Sequence, residues 1–193
     1  MKRLVIAATT ALLAHGNIVW AQAPAPAAGS DPGNLTRFSR GVKARYDNIK
    51  RDVVEAAEAV PEAEYSFKPT PAVRTFGEII GHIADTQNFF CGVAAGSNPQ
   101  YADTLEKTAK TKDDLVKGLK DSMTKCDDAY AKTDAANALS LVKAGKSDAL
   151  RAMILLDNVS HDNEHYGNIV TYMRLKGHVP PSTARERRSS SGE

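Results

Sequence analysis

The sequence predicts an all-α fold, a four-helix bundle with long inter-helix connections, and three observations carry that reading. Apolar residues recur at helical spacing in four separate segments, no stretch alternates with period two for long enough to make a strand, and helix start and stop signals bracket the segments. Four amphipathic helices can hide their apolar stripes only against one another. A chain of 193 residues, 42% hydrophobic and 25% charged, fits one such domain and leaves little room for two.

Residues 1–21 read as a cleavable secretory leader. Lys2 and Arg3 precede an apolar run from Leu4 to Ala14, and Val19-Trp20-Ala21 places a small residue ahead of Gln22. The run is shorter than the ~20 apolar residues a span needs, so no stable membrane anchor is expected and the mature protein should be exported to a periplasm. Residues 22–33 (QAPAPAAGSDPG) form a linker that cannot bury anything, and residues 182–193 (STARERRSSSGE) a polar tail of similar character. Both are expected to be disordered, with the bundle domain over residues 34–181.

The first helix is expected over Leu35–Ala59, with Phe38, Val42, Ile49, Val53, Ala56 and Val60 on one face and Pro61 as its stop. The second opens on a capping box, Thr75-Phe76-Gly77-Glu78, carries Ile79, Ile83, Phe90 and Val93, and stops at Gly96-Ser97-Asn98-Pro99. Thr111 with Asp114 starts a third, whose stripe is Leu115, Leu119, Met123, Cys126 and Tyr130. A short extra helix is expected over Ala135–Lys143. The fourth helix runs from Ser147 or Asp148 to Lys176, where Gly177 caps it and Pro180-Pro181 bar continuation. At ~1.5 Å per residue it spans about 40 Å.

Residues 61–74 and 96–110 are longer than ordinary bundle connections, so at least one is expected to cross the bundle and make the second and third helices parallel. That crossing would bring Cys91 and Cys126 to the same end of neighbouring helices. In an oxidising compartment they are a candidate disulfide, with two buried free thiols as the alternative.

Lys and Arg number 25 against 23 Asp and Glu, and loss of Lys2 and Arg3 with the leader leaves 23 of each. A nucleic-acid partner is not expected from so neutral a chain. G-x-S-x-G, P-loop and dinucleotide fingerprints are all missing.

Histidine carries the functional signal. Leaving aside His15 in the leader and His178 beyond the last cap, the bundle holds His82 on the second helix and His161 and His165 on the fourth. Spacing of four puts His161 and His165 one turn apart on one face, and all three fall toward the apolar side of their helices. Imidazoles bundled inward without an ion would bury ring nitrogens that need partners. Three of them around one divalent cation leave further positions for water or substrate, and zinc, nickel and iron(II) all suit such ligands. Asp85, one turn from His82, and Asp162, beside His161, are weaker candidates for orienting a ligand imidazole or accepting a proton.

The run Thr75-Phe76-Gly77-Glu78-Ile79-Ile80-Gly81-His82-Ile83-Ala84-Asp85, followed far downstream by His161-Asp162-Asn163-Glu164-His165-Tyr166-Gly167-Asn168 and Tyr172-Met173-Arg174-Leu175-Lys176-Gly177, resembles the DinB-like (DinB/YfiT) superfamily, over nearly all of residues 35–181. The resemblance implies a four-helix bundle, often a homodimer, with His82, His161 and His165 as ligands to a divalent ion. Relatives include thiol-dependent transferases and isomerases. Many carry Trp-Ser where this chain has Arg74-Thr75, a departure that bears on pocket lining and substrate and not on the ligands. Two functional classes follow. One is an exported metal-dependent hydrolase or thiol-linked transferase acting on a small molecule; the other is a non-catalytic metal-binding or dimeric scaffold protein. Export favours hydrolysis, because low-molecular-weight thiols are mostly cytosolic cosubstrates.

Overall fold

The computed structural model describes residues 31–192; the expected leader, and the expected linker as far as Ser30, lie outside the described residues. The elements in order are α1 (Pro32–Ala59), a 3-10 turn (Glu62–Glu64), α2 (Phe76–Ala94), α3 (Thr104–Thr108), α4 (Lys112–Ala131), β1 (Leu141–Ala144), β2 (Ser147–Leu150), α5 (Arg151–Leu175) and α6 (Pro181–Ser191). The long helices α1, α2, α4 and α5 make the bundle, with α1 and α2 each packed between α4 and α5.

Local chemistry sets the helix starts. Thr75 Oγ1 accepts from the Glu78 N–H at 3.1 Å while Glu78 Oε2 accepts from the Thr75 N–H at 2.6 Å, and Thr111 with Asp114 repeats the arrangement at the head of α4. For α1 the start is earlier than the apolar stripe suggests. Asp31 accepts from the Gly33 N–H at 2.9 Å and Pro32 occupies the first turn, so residues 32 and 33 are helical instead of linker.

Direction follows from contacts. Helix α1 runs opposite to α4, with the Tyr46 hydroxyl on the Met123 carbonyl at 2.9 Å and the Lys112 ammonium on the Glu58 and Val60 carbonyls at 2.7 and 2.8 Å. Helix α5 runs opposite to α2, since the Tyr172 hydroxyl donates to the Arg74 carbonyl and Arg151 donates to the Ala94 carbonyl at the other end. Helices α2 and α4 are parallel. Gly77 lies against Leu115 at their starts, and Cys91 and Cys126 are joined as a disulfide near their ends, Cα atoms 5.1 Å apart. The connection that crosses the bundle is therefore residues 95–111, and it carries α3.

Two expected segments differ. Ala135–Lys143 is not a helix: a turn leads into β1, which pairs antiparallel with β2 from Leu141 opposite Leu150 to Ala144 opposite Ser147. Gly145, at φ +64, supplies the first position of the two-residue turn that such a hairpin needs. Strands of four residues are too short for alternation to show in the sequence, and they delay the last long helix to Arg151. Residues 182–191, expected as a disordered tail, continue α6. Pro181 takes its first turn, Arg185 pairs with Asp52 and Glu55 of α1, and Ser182 exchanges hydrogen bonds with the Tyr166 hydroxyl at 3.0 and 3.1 Å. No apolar stripe announces this helix because charge and cap contacts hold it, not burial.

One core fills the bundle, built on Tyr46, Ile49, Val53, Ile80, Ile83, Leu119, Met123, Leu155 and Ile169. Within it lies a polar layer of Gln87, Asn158 and Asp162, none of which has exposed surface. Among the described residues no helix is long and apolar enough to cross a membrane.

Candidate metal centre

Because α2 and α5 are antiparallel neighbours, His82 faces the His161–His165 turn. Ring centroids lie 5.0 Å apart for His82 and His161, 4.8 Å for His82 and His165, and 4.4 Å for His161 and His165. One nitrogen from each ring falls within 4.8 Å of the others, and the Nε2 atoms of His82 and His161 are 3.1 Å apart. Tetrahedral ligands on bonds of 2.0–2.1 Å stand roughly 3.3 Å from one another, so this spacing fits a shared ion. The Nδ1 atoms of His161 and His165 are buried with no hydrogen-bond partner among the described residues. Burial, then the Arg74 guanidinium and His161, hold His82 below the ordinary histidine value, while burial, His161, His82 and Arg74 bring His165 down to about 3. Both imidazoles are therefore neutral near pH 7, the form in which they ligate.

The second nitrogen of His82 is also placed. Glu106 Oε2 lies 3.1 Å from Nδ1, and since a carboxylate accepts, Nδ1 carries the proton and Nε2 presents its lone pair to the other two rings. Tyr101 stands at 3.1 Å from the same Nδ1 and donates its own proton to Asp103 Oδ1 at 2.5 Å. Arg74 Nε donates to Glu106 Oε1 at 2.9 Å, fixing the carboxylate from its far side.

Neither of the weaker candidates, Asp85 and Asp162, hydrogen-bonds a ligand imidazole. Asp85 instead accepts from the Leu105 and Glu106 N–H groups, both at 3.0 Å, and so caps α3, the helix that carries Glu106. Gly81 allows the close approach: a Cβ there would stand 2.7 Å from the Glu106 N and Cα. Asp162 Oδ1 is 3.7 Å from His161 Nδ1, beyond hydrogen-bond range, while its Oδ2 accepts from Gln87 and, at 3.4 Å, from Asn158. Burial pushes this carboxyl up to about 6. His178 is not part of the cluster; its Nε2 lies 2.8 Å from Glu64 Oε2. The residues that sequence reasoning missed are Glu106, Arg74 as its anchor, and Tyr101; nothing in the run from Tyr101 to Thr108 announces a link to His82.

A cleft of about 660 Å³ opens beside the cluster between α2 and α5, with His165, Glu106 and Arg74 in its walls. Its volume is within the range of small-molecule sites.

Residues 45–169 match the family described as the DinB superfamily. Among solved structures, the chain is similar to a DinB-like protein from Bacillus cereus (14% identity, TM-score 0.63, covering 74% of this chain and 95% of that one). It is also similar to a conserved protein from Enterococcus faecalis (13% identity, TM-score 0.56, 71% and 95% covered). At these identities the likeness is one of fold. No curated protein matches the chain. With the family matched across four helices and their connections, the chain belongs to the DinB superfamily.

Proposed function

We propose that the protein is an exported metal-dependent enzyme in which His82, His161 and His165 hold one divalent ion, zinc, nickel or iron(II), and that it acts as a hydrolase, with thiol-linked group transfer as the related chemistry. The observation that carries this reading is the convergence of one nitrogen from each histidine within 4.8 Å at the wall of a ligand-sized cleft. When bound, such an ion supplies Lewis acidity and makes a coordinated water or thiol acidic enough to be a nucleophile near neutral pH.

The chain's own residues do the rest. Glu106 holds the His82 proton on Nδ1, which raises the basicity of the opposite nitrogen and fixes the ring. Arg74 holds Glu106 in place. Of the carboxylates in the cleft, both Glu106 oxygens are engaged and Glu78 caps α2, while Glu164, three residues after His161, has no ion-pair partner among the described residues. Proton acceptance in the cleft is assigned to Glu164. An accessible cleft favours turnover over a scaffold role, which would not need one.

Elemental analysis of protein purified without an affinity tag tests the reading. About one divalent ion per chain is expected, lost in a His82→Ala, His161→Ala, His165→Ala triple variant. Equal metal content in the two samples overturns it. With the ion bound, Glu164→Gln is expected to lower turnover of an activated ester or amide by roughly 100-fold or more, with metal content unchanged.

A further inference from the structure

Beside the carboxylates of Glu78, Glu106 and Glu164, the cleft next to the histidines holds two cations, Arg74 and Lys68, with donors that the protein leaves unengaged. Arg74 spends only Nε on Glu106, and neither terminal guanidinium nitrogen has a hydrogen-bond partner among the described residues. The Nε contact nevertheless fixes the plane of the guanidinium, so the two free nitrogens have a set direction. Lys68, on the same connection and in the same cleft, makes one long contact at 3.4 Å to the Pro71 carbonyl and no ion pair. Of the nearby carboxylates, Glu106 is shared between Arg74 Nε and His82, Glu78 is turned to the backbone of Thr75, and Glu164 on α5 makes no ion pair with either cation. The Tyr172 hydroxyl pins the Arg74 carbonyl at 2.9 Å, so the segment bearing this cation is held to α5, the helix that carries His161 and His165.

From these contacts we infer that the cleft takes a small molecule carrying an anionic group, a carboxylate or a phosphate, which seats on Arg74 and Lys68 while the molecule's reacting atom lies toward the three imidazoles. This inference rests on the metal-enzyme reading above. A planar guanidinium with two parallel donors matches a carboxylate or phosphate edge, and a flexible ammonium beside it adds charge without demanding geometry. Volume restricts the molecule to a small one, because about 660 Å³ holds a compact ligand and not a polymer. Apolar contact comes from Ala72, Val73, Ile79 and the Tyr172 ring, and the anion fixes which end of the molecule enters which end of the cleft.

The test uses the full chain loaded with cobalt(II), whose visible spectrum reports what approaches the ion. Three hydroxamates of equal chain length are titrated: one ending in a methyl group, one in a carboxylate, one in a phosphonate. At least one anionic probe is expected to bind roughly 10- to 100-fold more tightly than the neutral one, and the better of the two names the anion. Lys68→Gln should remove part of that preference, with the neutral probe changed by no more than about threefold, and Arg74→Gln, which also releases Glu106, should remove most of it, read as the ratio of anionic to neutral affinity within the same variant. Should both anionic probes bind no better than the neutral one, or should the preference survive both substitutions, the anion site is overturned while the metal reading stands. Should cobalt fail to bind, or bind equally to the triple histidine variant, the metal reading falls and this inference with it.

Discussion

Replacing Gly81 by Ala tests whether α3 positions the metal centre. The added Cβ would stand 2.7 Å from the N and Cα of Glu106 and 3.0 Å from the Leu105 carbonyl carbon, all of them backbone atoms. Carbon contacts are relaxed at roughly 3.5–4.0 Å, so α3 must retreat by about 1 Å. That displacement stretches the 3.1 Å contact between Glu106 and His82 Nδ1 beyond hydrogen-bond range. Losing a carboxylate that orients a ligand imidazole costs roughly 10- to 100-fold in metal affinity, about 1.4–2.7 kcal/mol. Fold stability should move less. Overpacking costs ~1–3 kcal/mol, but Ala in the interior of α2 gains up to about 1 kcal/mol over Gly. Zinc affinity is read by competition with a chromophoric chelator, and stability by urea unfolding in excess chelator. A folded Gly81→Ala protein whose zinc affinity lies within twofold of the parent would refute the argument, because α3 would then have no part in holding His82.

Other outcomes follow from the same structure. Gly167→Ala, where a Cβ meets nothing within 4 Å, should gain up to about 1 kcal/mol of stability without changing zinc affinity, and a change in affinity would show that helix content alone moves it. Removing the disulfide by Cys91→Ala with Cys126→Ala opens a loop of 35 residues and should cost about 4 kcal/mol by loop entropy, read as a drop in urea midpoint; an unchanged midpoint would mean the bond does not stabilise the fold. His82 and His165 both titrate below the ordinary histidine value in the folded chain. The unfolded chain therefore binds protons there that the folded chain does not, and metal-free protein should keep its full stability above pH ~6.5 and lose it progressively below. The triple histidine variant should lose less over the same interval; parallel curves for the two proteins would contradict this. Asp85→Asn, which weakens the cap on α3, should lower zinc affinity in the same direction as Gly81→Ala.

Much of this architecture is legible in the chain because local chemistry decides it. Thr75 with Glu78 and Thr111 with Asp114 mark two helix starts by composition alone, and the lengths of residues 61–74 and 96–110 imply that at least one connection crosses, while only the fold decides that it is the second. Spacing of four also suffices to place His161 and His165 on one turn of α5, while their meeting with His82 needs only that α2 and α5 pack together. What escapes is set by tertiary contact. Helix α3 has five residues and no stripe, and it exists where it does because Asp85 caps it and Gly81 lets it approach. Glu106 consequently reaches His82 across 24 residues with no local signature. The β1–β2 hairpin and α6 escape for a related reason: each is held by a turn glycine or by ion pairs to α1, not by a periodic apolar face. Asp85 and Asp162 were legible as inward carboxylates, but only the fold decides that one caps α3 and the other joins the buried layer with Gln87 and Asn158.

The central claim is that three imidazoles hold one divalent ion, and X-ray absorption at the metal edge tests it most directly. Untagged protein loaded with one equivalent of zinc is expected to show three imidazole nitrogens at about 2.0–2.1 Å together with one or two oxygen ligands from water. The spectrum of the His82→Ala, His161→Ala, His165→Ala variant should carry no such shell. An imidazole count below three in the parent, or the same spectrum from both proteins, would contradict the claim.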